Sequence, residues 1–318
     1  MTRTGPPTET ATPTRRPAGT NAPMATGDHA LAVLLLVQAG LVATTAVLGP
    51  LVLDVLHYRT SASGLDQIRG TDITALAIVA PLCVWIGRQA WLGHPAAPAL
   101  ALAPAGFTVY IWTQLLLGNE FGRLPGNVEW FFPLLAGAVG VGISVAVRAA
   151  RTLRSQAVPR WSRGRERSTG SLLLVVAAFV VLGIHLSGLV DALRDHPVGE
   201  ALLTTPNAFW VVKAMDLAVV APAAVLLGTG LLRGRPWARQ PTFAVLGSYA
   251  LLGCSVAAMA WSMLIGGTTG ASLGLALGST AMAAALTGYA AVLYRPLFRA
   301  TRGTLARGPV GTASGRRP

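Results

Sequence analysis

The chain has 318 residues, of which 53% are hydrophobic and 12% charged, with a formal net charge of +13. A soluble fold of this size carries about 25% charged residues, so the composition excludes a water-soluble domain and leaves an all-α, polytopic membrane bundle. The basic excess is confined to loops and tails without interleaved aromatics, which excludes a nucleic-acid surface.

Residues 1–28 are rich in Thr, Pro, Ala and Gly and read as a disordered cytoplasmic tail. Arg15-Arg16 lies too far from the first apolar run for a signal segment, and Met24 is a second candidate start. A membrane span needs about 20 mostly apolar residues. The sequence supplies such stretches at 30–56, 72–92, 97–118 and 130–149, a first four-helix unit over 29–149. An Arg-rich linker at 150–169 follows. A second unit over 170–295 holds spans at 170–191, 209–232, 241–265 and 271–294, and 296–318 reads as an unstructured basic tail.

Arginines select the orientation. Arg148, Arg151, Arg154, Arg160, Arg163, Arg165 and Arg167 share one loop, Arg233, Arg235 and Arg239 another, and both tails are basic. With eight spans these segments fall on one side, so the positive-inside rule puts both termini in the cytoplasm of a cell-membrane protein. The acidic residues gather on the opposite, outer side. Trp91 and Trp237 mark the inner boundary, Trp130 and Trp210 the outer.

The two units repeat one another. Ala77-Ile78-Val79-Ala80-Pro81 matches Ala218-Val219-Val220-Ala221-Pro222, and Leu92-Gly93-His94-Pro95 matches Arg233-Gly234-Arg235-Pro236, both at an offset of 141. Leu53-Asp54-Val55-Leu56 resembles Val190-Asp191-Ala192-Leu193 at an offset of 137. Units of four spans insert the same way round, which predicts parallel repeats about an axis along the membrane normal. Small residues at Gly274 and Gly278, Ala136 and Gly140, and Ala138 and Gly142 predict close helix packing within the bundle.

Chemistry is sought where charge enters a span. Lys213 and Asp216 lie three residues apart on one helical face, and an intramembrane charge is a functional-site candidate. Asp72 aligns with Lys213 in the repeat, and near a pseudo-twofold axis the two are expected to pair across the halves, leaving Asp216 free to carry a proton. Asp54 and Asp191 are repeat-equivalent carboxylates that could hold a cation, or could simply be solvated helix ends. His185 stands alone in its span and reads as a hydrogen-bonded packing residue with no mate for haem. Pro81 and Pro222 predict kinks at equivalent depth. The outer loop from Gly118 to Leu134 mixes Asn119, Glu120, Asn127 and Glu129 with aromatics, and Tyr110 and Thr113 add hydroxyls nearby. The candidate substrate- or ion-binding set is therefore Asp72, Lys213, Asp216, Asp54, Asp191, Glu120 and Tyr110. Cys83 and Cys254 read as apolar fillers; no zinc spacing and no Walker motif occurs, and no cofactor or metal is expected.

Gly70-Thr71-Asp72, Pro81-Leu82, the run from Tyr110 through Asn119-Glu120-Phe121, Phe131-Phe132-Pro133-Leu134, Met215-Asp216-Leu217, Pro222 and Arg233-Gly234-Arg235-Pro236-Trp237 together form a pattern. It resembles an uncharacterised family of multi-pass bacterial and archaeal membrane proteins, over residues 45–265. The resemblance implies that Asp72 and Asp216 are worth testing and implies no reaction. The segment from Thr108 to Thr113 is poorer in tyrosine than that family's pattern. The functional expectation is transporter-like handling of a small molecule or ion, with membrane lipids as surroundings. The alternatives are an enzyme acting on a lipid-like substrate from the outer face and an accessory subunit of a membrane complex.

Overall fold

The computed structural model describes residues 27–156 and 161–305, with side chains to residue 298. Eight helices are long and apolar enough to cross a membrane: α1 His29–Leu48, α2 Ala62–Trp91, α3 Ala97–Leu117, α4 Val128–Arg154, α5 Arg163–Ala192, α6 Pro206–Leu232, α7 Pro236–Ile265 and α8 Leu273–Phe298. This is a multi-pass membrane protein by its helices. Its outer surface agrees: Val175 is 64% exposed, Leu182 62% and Val219 61%, an apolar girdle that water would not tolerate but lipid does.

Helix boundaries depart from the hydropathy reading in two places. The segment 62–71, polar enough to read as loop, forms the first turns of α2. It is helical because it lies against protein: Thr268 donates to Asp66 at 2.6 Å, and a Cβ on Gly70 would come within 2.4 Å of the Met259 backbone. Flanking arginines also extend helices rather than loops. α4 continues to Arg154, α5 starts at Arg163, and the last helix runs past Arg295 and Pro296 to Leu305. The remainder of the proposed tails, with Met24, lies outside the described residues.

Each half has its own core. Leu31, Leu35, Val42, Ile86, Phe107 and Leu135 belong to one cluster, and Leu173, Leu227, Leu231, Phe243, Leu246 and Leu293 to the other. Within the halves α1 packs on α2 and α4, α3 on α4, α5 on α6 and α7 on α8; between them α7 packs on α2 and α3. Glycine allows the central α3–α7 approach. A Cβ on Gly106 would meet Ser248 Oγ at 2.3 Å, and one on Gly247 would meet Ala103 Cβ at 2.6 Å.

Several small-residue expectations are corrected. Gly278, Gly137 and Gly140 have open space where a Cβ would go, and Gly274 has only Ser272 Oγ at 3.9 Å. Those faces point away from the bundle, whereas a Cβ on Gly142 would come within 3.0 Å of the Val109 side chain. Cys83 and Cys254 are both free thiols.

Candidate functional site

Two prolines shape the helices that carry the intramembrane charges. Proline has no N–H and crowds the carbonyl four residues before it. Both α2 and α6 meet this with a π turn just upstream: Ala75–Val79 precedes Pro81, and Asp216–Val220 precedes Pro222. The predicted kinks are thus wide turns, a feature frequent at functional sites. The Val220 carbonyl at the end of the second π turn accepts the Tyr249 hydroxyl from α7.

Asp216 opens its π turn and faces inward, 9% exposed. Tyr110 Oη, from α3, donates to its Oδ1 at 2.6 Å. His185 Nε2, from α5, lies 2.7 Å from its Oδ2. Where Asp216 is ionised it only accepts, and His185 Nε2 is then the donor. His185 Nδ1 is buried and has no hydrogen-bond partner among the described residues. A third π turn, Phe179–His185, ends on this histidine. The site therefore joins a tyrosine of the first half to a histidine and an aspartate of the second.

Lys213, one turn before Asp216, is 8% exposed. Its ammonium lies 3.8 Å from the centroid of the Phe209 ring, a cation–π contact. Gly188 leaves room for it, since a Cβ there would be 3.1 Å from Nζ. Among the described residues Lys213 makes no ion pair, and the expected bridge from Asp72 to Lys213 does not form. Asp72 lies instead beside the end of α1: a Cβ on Gly49 would be 2.7 Å from its Oδ2. Among the described residues that oxygen of Asp72, itself 2% exposed, has no hydrogen-bond partner, and neither has the hydroxyl of Tyr58, 3% exposed. Burial, and then the charge of Asp72, push that hydroxyl well above its ordinary pKa of 10.0, so it stays a neutral phenol.

The outer carboxylates serve the scaffold. Glu120, fully buried, accepts the amide of Asn207 at 2.7 Å and that of Ala208 at 3.4 Å, capping the start of α6. Its place in the candidate set is thereby corrected, because its oxygens are already engaged. Asp191 accepts the amides of Val198 and Gly199 and closes its own loop. Asp54 is exposed at a positive φ of 49°, with His57 Nε2 at 3.8 Å. These two carboxylates share no ligand among the described residues. Asn127 bonds the backbone of Val55 and His57, and Glu129 pairs with Arg59 at 2.7 Å, so the polar loop is a clamp on the first outer connection.

A cavity of about 110 Å³ lies between the halves, lined by Tyr58, Gln67, Thr71, Gln114, Asn119 and Val212 among others. Gln114 stands one turn along α3 from Tyr110, and Val212 precedes Lys213. The sequence reading placed Tyr110 and Asp216 in the candidate set but treated His185 as packing and passed over Tyr58 and Tyr249. A π turn shifts which face a residue presents, and hydropathy carries no signal for it. Among the described residues no cluster of His, Cys, Asp or Glu could hold a metal ion. No family model, curated protein or solved structure matches this chain.

Proposed function

We propose that the protein is a cell-membrane carrier of two parallel four-span halves, both termini cytoplasmic, that handles a small molecule or ion at Asp216. The observation that carries this reading is a mid-span carboxylate held at 2.6 and 2.7 Å by Tyr110 and His185 from two other helices. A buried ionisable group in a span is costly and is kept where it has work to do. The cavity between the halves, whose lining includes Gln114 on the Tyr110 helix and Val212 beside Lys213, is the approach to the site in this reading.

The repeat is supported by more than the sequence. The π turns start at Ala75 and Asp216, an offset of 141. Gly93 and Gly234, at the same offset, adopt φ of 72° and 70°. The turn bonds His94 N to Gln89 O and Arg235 N to Gly230 O are both 2.9 Å. Asp66 and Asn207 are also equivalent, and each reaches the far end of the other half's third span.

The test is native mass spectrometry of protein released from nanodiscs, wild type beside Asp216→Asn. A bound species present in the wild type and absent in the variant is expected. Bare protein or ordinary lipid in both samples would reject the reading.

A further inference from the structure

Resting on the carrier reading, we propose its substrate class: the cavity between the halves binds a small uncharged molecule that both donates and accepts hydrogen bonds, of the primary-amide or polyol type. α2 supplies Gln67 to the wall and α3 supplies Gln114, while α6 supplies Ala208 and Val212 and α7 supplies Met259. No Asp, Glu, Lys, Arg or His lines the cavity. An ion entering such a wall would lose hydration without gaining a counter-charge, whereas a neutral molecule needs only hydrogen bonds in exchange for those it leaves in water. The volume of about 110 Å³ has room for several waters, or for one molecule of about four to six heavy atoms.

Two glutamines carry the recognition. Asn119, also in the wall, is already committed: its Oδ1 accepts the Arg59 amide and its Nδ2 donates to the Leu115 carbonyl. Gln67 is exposed, and among the described residues its carboxamide makes no hydrogen bond. Gln114 is half-buried and its side chain bonds the Tyr110 hydroxyl. That hydroxyl gives its proton to Asp216 at 2.6 Å, so it accepts from Gln114. A carboxamide has two N–H donors and one acceptor oxygen, which leaves Gln114 one N–H and its carbonyl for a guest. A primary amide meets such a group with a donor and an acceptor at once. An anion without a donor and a cation without an acceptor cannot. The same side chain then joins the cavity to the carboxylate through Tyr110, so a molecule bound in the cavity touches the polar chain that ends on Asp216 and His185.

The experiment is saturation-transfer NMR on the full-length protein in nanodiscs, with empty nanodiscs as the blank. Acetamide and its charged isostere acetate are titrated separately at neutral pH. Saturable transfer to the acetamide methyl is expected, with acetate at least about tenfold weaker. Gln67→Leu and Gln114→Leu should each weaken acetamide at least about fivefold. Ala208→Leu, which fills the cavity, should abolish the saturable signal; if it does not fold, the glutamine variants decide. Asp216→Asn, outside the lining, should keep acetamide binding. No saturable acetamide signal above the blank, acetate binding as tightly, or acetamide unchanged in both folded glutamine variants would overturn the proposal. A species in native mass spectrometry that depends on Asp216, without acetamide binding, rejects the cavity alone. Acetamide binding that depends on the glutamines, without any species depending on Asp216, upholds the cavity as a binding site and rejects the Asp216 reading.

Discussion

Asp72 and Lys213 occupy the same register, each three residues ahead of a π turn that precedes a proline. The chain itself satisfies the second-half carboxylate: Asp216 is held by Tyr110 of the first half and by His185, and Lys213 lies one turn away over the Phe209 ring. Among the described residues the first half leaves a carboxyl oxygen of Asp72 and the Tyr58 phenol unpartnered. Comparable backbones have thus been given opposite electrostatic tasks. The difference teaches that a shared helix geometry sets where a polar group can enter the bundle, while single residues decide which polar groups meet it there.

The sharpest way to break this comparison is at the helix crossings. Gly70→Val should cost at least about 3 kcal/mol and largely abolish folded protein, because its side chain would enter the Met259 backbone. The repeat-equivalent change Val211→Ala, where α6 meets α3 less closely, should cost no more than about 1 kcal/mol. Size-exclusion profiles and thermal melts of the two variants check the contrast.

The carboxylates should then diverge in stability. Asp216→Asn turns one accepting oxygen into a donor facing Tyr110 or His185, and should lower the melting temperature by the equivalent of about 1–3 kcal/mol. Asp72→Asn replaces a buried carboxyl group whose Oδ2 has no hydrogen-bond partner among the described residues, and should leave the melting temperature unchanged or raised. A fall of equal size in both variants would erase the proposed distinction.

A smaller effect tests whether the second-half site acts as a unit. Tyr110→Phe and His185→Gln should each cost about 1–2 kcal/mol, and the double variant should depart from their sum by at least about 0.5 kcal/mol because both act on one carboxylate. Strict additivity in a double-mutant cycle would count against a shared site.

The smallest expected effect lies at the start of α1, where Asp28 caps the helix and binds Arg148 at 2.9 Å. Burial opposes its charge, but Arg148, the Leu31 amide and Thr152 outweigh it and hold its carboxyl below the usual value of 3.8. A lowered pKa in the folded state stabilises above the unfolded value. That stability is therefore present above pH 3.8 and lost as pH falls through the lowered value. Arg148→Ala should lower the thermal transition at neutral pH and flatten this acid limb.

The sequence was legible where the physics is local or additive. Runs of apolar residues have to span lipid, so the eight helices followed from hydropathy, to within the polar start of α2 and the arginine-bearing helix ends. Lys213 and Asp216 stood out because charge in a span is rare, and the offset of 141 was visible in short matching strings. Tertiary structure decided the rest. Which hydroxyl and which imidazole reach Asp216 depends on π turns that rotate Asp216 and His185 inward, a displacement that periodicity cannot report. Glu120 and Asp191 looked like open ligands until the folded chain placed backbone amides on them. Asp72 looked like the partner of Lys213 until packing set it at the interrupted end of α1, where the carbonyls around it are fixed by how two helices meet and not by any residue's identity.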